Sequence, residues 1–203
     1  MIAVCDYDAG NVNSVMKACE YLGYECTLTA DYDTIISSDH VILPGVGSFG
    51  VAMEKLRDRG LDVTIKQAVG NGIPFLGICL GLQLLFENSE ESPDARGLGL
   101  IEGSIVRIPD NNGSLKIPHM GWNSLSFPSE GRLFKGVPDG TDVYFVHSYY
   151  LPVNPYVKAV TQYGVPIGAS IEKDNIFACQ FHPEKSGRWG LKILENFLSL
   201  SGG

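Results

Sequence analysis

Cys79 lies at the centre of Gly77-Ile78-Cys79-Leu80-Gly81, with a glycine two residues away on each side. The apolar run Ile73-Pro74-Phe75-Leu76 precedes it, and the helix-like stretch Leu82-Gln83-Leu84-Leu85-Phe86-Glu87 follows. A nucleophile between strand and helix, bracketed by glycines, has the pattern of the elbow turn that presents a hydrolytic serine. Such a turn has no room for neighbouring side chains and strains the nucleophile's own backbone. At a helix N-terminus, unsatisfied N–H groups and the macrodipole favour thiolate over thiol. The chemistry this predicts is nucleophilic acyl transfer. Without partners, the same cysteine reads equally as core.

Partners appear in Phe177-Ala178-Cys179-Gln180-Phe181-His182-Pro183-Glu184. Apolar residues lead to His182 at a strand end, and Pro183 biases it towards extended backbone. Glu184 stands where its carboxylate can turn back on the same imidazole. The predicted roles are Cys79 as nucleophile, His182 as general acid and base, and Glu184 as orienting carboxylate. Cys179 is nearer to His182 in sequence but falls mid-strand, without elbow or helix N-terminus, and reads as inert core. Acyl transfer also needs donors where the oxyanion develops. The N–H of Leu80 is one. The loop Pro44-Gly45-Val46-Gly47-Ser48-Phe49 offers the other, from Val46 or Gly47, because glycines permit close approach and a peptide flip.

These groups need a scaffold, and the first half of the chain alternates strands with helices. Ile2 to Cys5, Glu25 to Thr29 and His40 to Leu43 read as strands. A helix is expected around Asn13 to Leu22, ending at Gly23, and helical structure from Phe49 to Val69 is interrupted near Gly60. This alternation predicts right-handed crossovers and a mostly parallel sheet, with sites beyond the carboxyl ends of the strands. From about Gly99 the pattern becomes β-rich, over Ser104 to Ile108, Val143 to Tyr149, Val157 to Tyr163 and Ile176 to Phe181, before a closing helix from about Gly187 to Leu200. The expected fold class is α/β: a flavodoxin-like, mostly parallel central sheet with flanking helices and a β-rich second half, as one domain over 1–203.

Composition narrows the function classes. A hydrophobic content of 44% with 19% charged residues suits a globular protein, and a net charge of −8 argues against a nucleic-acid binder. No apolar stretch is long enough to span a membrane, and Asp6 and Asp8 break the first apolar run, so neither membrane anchorage nor a signal peptide is expected. Five cysteines without CxxC pairs suit reduced thiols and a cytoplasmic location. The four histidines form no metal-binding spacing, so no metal or cofactor is expected.

Taken in chain order, Gly77-Ile78-Cys79-Leu80-Gly81 with Gln83, and Gln180-Phe181-His182-Pro183-Glu184, resemble the class I (triad) glutamine amidotransferase family. A narrower likeness rests on Asp8-Ala9-Gly10-Asn11, the Pro44 to Phe49 loop, Pro118-His119-Met120-Gly121-Trp122-Asn123, Phe145-Val146-His147-Ser148-Tyr149 and Lys185-Ser186-Gly187. It points to the branch whose glutaminase is a subunit serving a separate cyclase of (β/α)8 barrel fold in histidine biosynthesis. Asp8 stands where a glycine is commoner in that branch. The resemblance implies hydrolysis of L-glutamine through a glutamyl thioester on Cys79 and transfer of ammonia to the partner in a heterodimer. It further implies an oxyanion hole completed by the Val46 N–H, and substrate contacts from Gln83, His147, Ser148 and Tyr149. Asn11, Trp122, Asn123, Tyr144 and Lys185 would face the cyclase. The 203 residues leave no room for an ammonia-accepting domain. Rival readings are a glutaminase subunit for pyridoxal phosphate or surface-sugar amination, a stand-alone cysteine hydrolase of similar fold, and a non-catalytic module.

Overall fold

Parallel strands covered on both faces must be apolar nearly throughout. Ile2–Cys5, His40–Leu43, Phe75–Ile78 and Ile176–Cys179 meet that demand, each buried at every position, with His40 the one charged-type member. In the computed structural model, which describes residues 1–202, these runs build the middle of a seven-stranded sheet. The first half runs β1 (Ile2–Cys5), α1 (Val12–Tyr21), β2 (Cys26–Thr29), α2 (Tyr32–Ile36), β3 (His40–Leu43), α3 (Phe49–Asp58), α4 (Leu61–Gly70), β4 (Phe75–Ile78) and α5 (Leu80–Gln83). The second half runs β5 (Asn88–Ser89), β6 (Ser104–Arg107), β7 (His119–Ser124), β8 (Asp142–His147), β9 (Tyr149–Tyr150), β10 (Val157–Tyr163), β11 (Val165–Lys173), β12 (Ile176–Cys179) and α6 (Gly187–Leu198).

The sheet order is β10-β11-β12-β4-β3-β1-β2. From β12 across to β2 every neighbour is parallel, and β11 runs antiparallel to β12 and β10. Alternate residues of a strand point to opposite faces. Accordingly Ile2 and Val4 pack with Val15, Ala18, Ile193 and Phe197 of α1 and α6, whereas Ala3 and Cys5 pack with Phe49, Leu56 and Ile65 of α3 and α4. Each fully buried phenylalanine in these layers contributes about 1.5–3 kcal/mol of apolar burial. Beside the main sheet, β7 pairs antiparallel with β8 from His119↔His147 to Ser124↔Asp142. Among the described residues no helix is long and apolar enough to cross a membrane.

Two expectations change. The helix after Cys79 is a single turn, α5. The carbonyls of Leu84, Leu85 and Phe86 accept N–H groups from Leu98 (2.8 Å), Leu100 (2.9 Å) and Gly99 (3.4 Å), so the chain pairs with a distant loop instead of coiling further. So short a helix has a small macrodipole. The long strand β11, the strand β7 and the short helix α2 also stand where no element was predicted.

Candidate active site

The elbow at Cys79 has the strain its sequence predicts, with φ 55° and ψ −106°, a region that L-residues rarely adopt. Its flanking glycines are required by close approach. A Cβ on Gly77 would lie 2.6 Å from the Gly81 carbonyl oxygen, and one on Gly81 would lie 2.0 Å from that of Leu43. The sheet register brings in the base. β12 lies beside β4, with Cys179 opposite Ile78, and the Cys79 N–H donates to the Cys179 carbonyl at 2.7 Å. Residues following both strands therefore emerge at the same edge.

There His182 Nδ1 donates to Glu184 Oε1 at 2.8 Å. Ring and carboxylate are both withdrawn from solvent, with side-chain exposures of 1% and 0%. Asn11, expected at a partner surface, turns inward and donates from Nδ2 to the same Oε1 at 2.6 Å. His182 Nε2 and Glu184 Oε2 are buried without a hydrogen-bond partner. Burial opposes charge on His182, but the neighbouring Cys79 thiol and Glu184 carboxylate outweigh it and push the imidazole up to about 9. Cys79 is thus near enough to favour the imidazolium, although no hydrogen bond joins its sulfur to Nε2. The sulfur instead faces the Val146 carbonyl at 3.8 Å and receives Gln180 Nε2 at 3.8 Å. Cys179, the rival nucleophile, is fully buried, and desolvation pushes its thiol up to about 12.

A cavity of about 340 Å³ opens onto the sulfur. Its wall contains Val46, Gly47, Leu80, Gln83, His147, Ser148 and Tyr149, so the structure gathers all seven residues singled out for oxyanion and substrate binding. Sequence reasoning missed three other wall residues, Glu91, Pro118 and Val146. Glu91 could not be found by spacing: it is held by the N–H of Phe49, far away in the chain, at 2.8 Å. Gln83 gives both Nε2 hydrogens to the protein, to the Tyr149 carbonyl (3.0 Å) and Gln180 Oε1 (3.1 Å). A larger groove of about 930 Å³ around Phe127, Arg132 and Glu172 has no cysteine or histidine in its wall.

The Leu80 N–H, expected to serve an oxyanion, is engaged within the protein. Leu80 N–H points at the Gly45 carbonyl, 3.4 Å away. Of the residues expected to face a partner, Trp122 is 59% exposed and edge-on to Tyr144, with ring centroids 6.2 Å apart, and Lys185 is exposed. Asn123, half-buried like Asn11, donates to His119 Nε2 (3.2 Å) and the Gln162 carbonyl (3.0 Å).

A strained cysteine elbow beside a His–Glu pair on a parallel sheet edge defines a class, and the comparisons agree on it. The glutamine amidotransferase class-I family matches residues 3–200. Among solved structures, a glutamine amidotransferase superposes with a TM-score of 0.74 at 18% identity, covering 97% of this chain and 96% of that one. The glutaminase domain of Trypanosoma brucei CTPS with bound acivicin superposes with a TM-score of 0.69 at 15% identity, covering 100% of this chain and 95% of that one. These two share the fold. Nearer in sequence is the imidazole glycerol phosphate synthase subunit HisH of Moorella thermoacetica, 49% identical over 97% of this chain and 93% of that protein. The subunit of the same name from Methanothermobacter thermautotrophicus is 49% identical over 98% of both. The chain belongs to the class-I glutamine amidotransferase family and, within it, to the HisH subunits of imidazole glycerol phosphate synthase.

Proposed function

We infer that this chain, as one domain, is the glutaminase subunit of a heterodimeric cytoplasmic synthase. It hydrolyses L-glutamine to L-glutamate and ammonia and passes the ammonia to a (β/α)8 barrel cyclase, which makes imidazole glycerol phosphate and aminoimidazole carboxamide ribonucleotide. The observation that carries this reading is the His182–Glu184 pair buried beside the sulfur of a strained elbow, at the mouth of a cavity sized for an amino acid.

Glutamine enters with its side-chain amide at Cys79. The thiolate attacks the amide carbon, and the carbonyl π-electrons move to oxygen. His182 Nε2 delivers a proton to the departing nitrogen, ammonia leaves, and a glutamyl thioester remains. Neutral His182 then takes a proton from water, which attacks the thioester, and glutamate is released with the thiol restored. Glu184, itself held by Asn11, keeps Nδ1 protonated and orients the ring. Gln83 Oε1 and the Glu91 carboxylate are the acceptors for the substrate ammonium, while Ser148 and Tyr149 line its backbone end.

The oxyanion hole needs one movement. The peptide joining Gly45 to Val46 now offers its carbonyl to Leu80 N–H. Turning that peptide over withdraws the oxygen and presents Val46 N–H beside Leu80 N–H, so a single rotation both frees and completes the hole. A Cβ on Gly45 would sit 2.4 Å from the Tyr7 hydroxyl, so glycine is needed there, and Gly47 already has φ 108°. Val46 lies against Gly10 of the first loop and is itself 41% exposed, so a cyclase seated on this part of the surface can reach it. Docking there is the trigger for the turn.

The test is a coupled assay with purified cyclase and its nucleotide. Glutaminase turnover should rise sharply on their addition. Cys79→Ala should abolish glutamine-dependent synthesis while synthesis from ammonium salt, which bypasses this subunit, persists. Turnover indifferent to the cyclase would favour a stand-alone hydrolase, and loss of the ammonia-dependent reaction would make Cys79 an interface or folding residue.

A further inference from the structure

In and behind the cavity wall runs a line of side chains, of which the reaction steps leave His147, His119 and Asn123 unused. His147 Nδ1 lies 2.9 Å from the Tyr149 carbonyl, which can only accept, so Nδ1 carries the proton. Burial holds this imidazole down at about 3 and that of His119 at about 4, so both are neutral near neutral pH. His147 Nε2 is then an acceptor, and His119 Nδ1, 2.9 Å away, must donate to it. That leaves His119 Nε2 as an acceptor for Asn123 Nδ2 at 3.2 Å. Asn123 cannot turn over, because its Oδ1 accepts the Ser124 N–H at 2.8 Å. On the other side, the Tyr149 carbonyl also receives Gln83, Gln83 donates to Gln180, and Gln180 donates to the Cys79 sulfur. Reversing any imidazole would set donor against donor or acceptor against acceptor. His119 is further clamped between the rings of Phe145 (centroids 4.7 Å apart) and Tyr163 (4.1 Å).

We propose that His119 and Asn123 are positioning residues for the glutaminase reaction, acting through a hydrogen-bond chain that runs one way from Asn123 to the Tyr149 carbonyl and holds His147 as its Nδ1–H tautomer, and so fixes that carbonyl, which also accepts from Gln83, and through Gln83 the Gln180 amide at the Cys79 sulfur. The chain begins at Asn123, next to the exposed Trp122, and ends at the nucleophile. A single broken link leaves a buried acceptor unpaired and lets Gln83 rotate its amide out of the cavity wall. The proposal rests on the glutaminase reading, and its test separates the two.

In the ¹⁵N-histidine-labelled full chain, with and without the cyclase, NMR of the imidazole nitrogens should find His119 and His147 both as neutral Nδ1–H tautomers at pH ~6–8, whereas free histidine titrates near ~6.5. An Nε2–H form or a charged ring at either position would overturn the proposal. His119→Phe keeps the aromatic stack but removes both polar links. In the assembled synthase its glutamine KM should rise about tenfold with kcat little changed, and His119→Gln, which restores a donor and an acceptor, should recover most of the loss. Wild-type kinetics in His119→Phe, or a His119→Gln variant no better than it, would also overturn it. Should His119→Phe fail to fold, the tautomer spectrum of the unaltered chain decides alone. A wild-type synthase that does not hydrolyse glutamine refutes the glutaminase reading instead.

Discussion

The reacting edge and the wall behind it differ in how completely their polar groups are paired. At the edge, Cys79 is strained, His182 Nε2 and Glu184 Oε2 have no partners, and Leu80 N–H points at the wrong acceptor. In the wall, His119 and His147 have both ring nitrogens bonded, and Gln83 has both amide hydrogens placed. Unpaired buried groups are costly, so their concentration at one place marks where charge and protons move. Groups that must hold still are locked. On the proposed function, the contrast separates parts of the site that change during turnover from parts that align them.

The largest blow to the edge is steric. Gly81→Ala would press a methyl group onto the Leu43 carbonyl, which belongs to the central sheet and cannot yield as a side chain would. Chemical denaturation should find it destabilised by about 3 kcal/mol, with glutaminase activity lost. A variant of wild-type stability would mean that the elbow is looser than its contacts imply. Next comes charge without shape. Glu184→Gln keeps an acceptor for His182 and Asn11 but removes the anion, so turnover should fall on the order of 100-fold while the thiol still reacts with iodoacetamide. His182 is held up to about 9. A proton-donating imidazole is needed for ammonia to leave, so wild-type kcat/KM should decline as pH rises through about 9. Removing the Glu184 charge disfavours the imidazolium, so in Glu184→Gln that decline should begin at lower pH. An unmoved alkaline limb would detach Glu184 from the imidazole.

The smallest effect reads the wall. His119 and His147 sit at about 4 and about 3 in the folded chain, below the value of about 6.5 for unfolded histidine. The unfolded chain therefore binds protons that the folded one does not. Their contribution is intact above about pH 6.5 and is lost as pH falls towards 4. Up to two protons should be taken up on unfolding in that window, measurable from the pH dependence of denaturation midpoints. In His119→Phe the uptake should drop by about one.

Much of the edge was legible in the chain, because its constraints are local. Glycines two residues either side of Cys79 betray a tight turn, and the four-residue apolar strands betray burial on both faces. The wall was not legible, because its bonds join residues far apart. Gln83 meets the Tyr149 carbonyl across 66 residues, and His119 meets His147 only through the β7–β8 pairing; at the edge the long-range bond from Asn11 to Glu184 was equally hidden. β11 carries Pro166 and Gly168, residue types that ordinarily interrupt strands, yet Pro166 falls near the end where β11 turns back on β10. The stretch from Leu82 to Glu87 read as a helix because its residues are good helix formers, but backbone pairing with Leu98 and Leu100 outweighs that preference.

One measurement bears on the centre of the account. The synthase, with cyclase and nucleotide present, is quenched in acid during turnover of isotopically labelled glutamine, and its peptides are mapped by mass spectrometry. A labelled glutamyl group should appear on the peptide carrying Cys79, accumulate in no other peptide, and be absent from Cys79→Ser. Glutamine consumed with label on the Cys179 peptide, or with no acyl-enzyme on any cysteine under conditions that preserve thioesters, would contradict it.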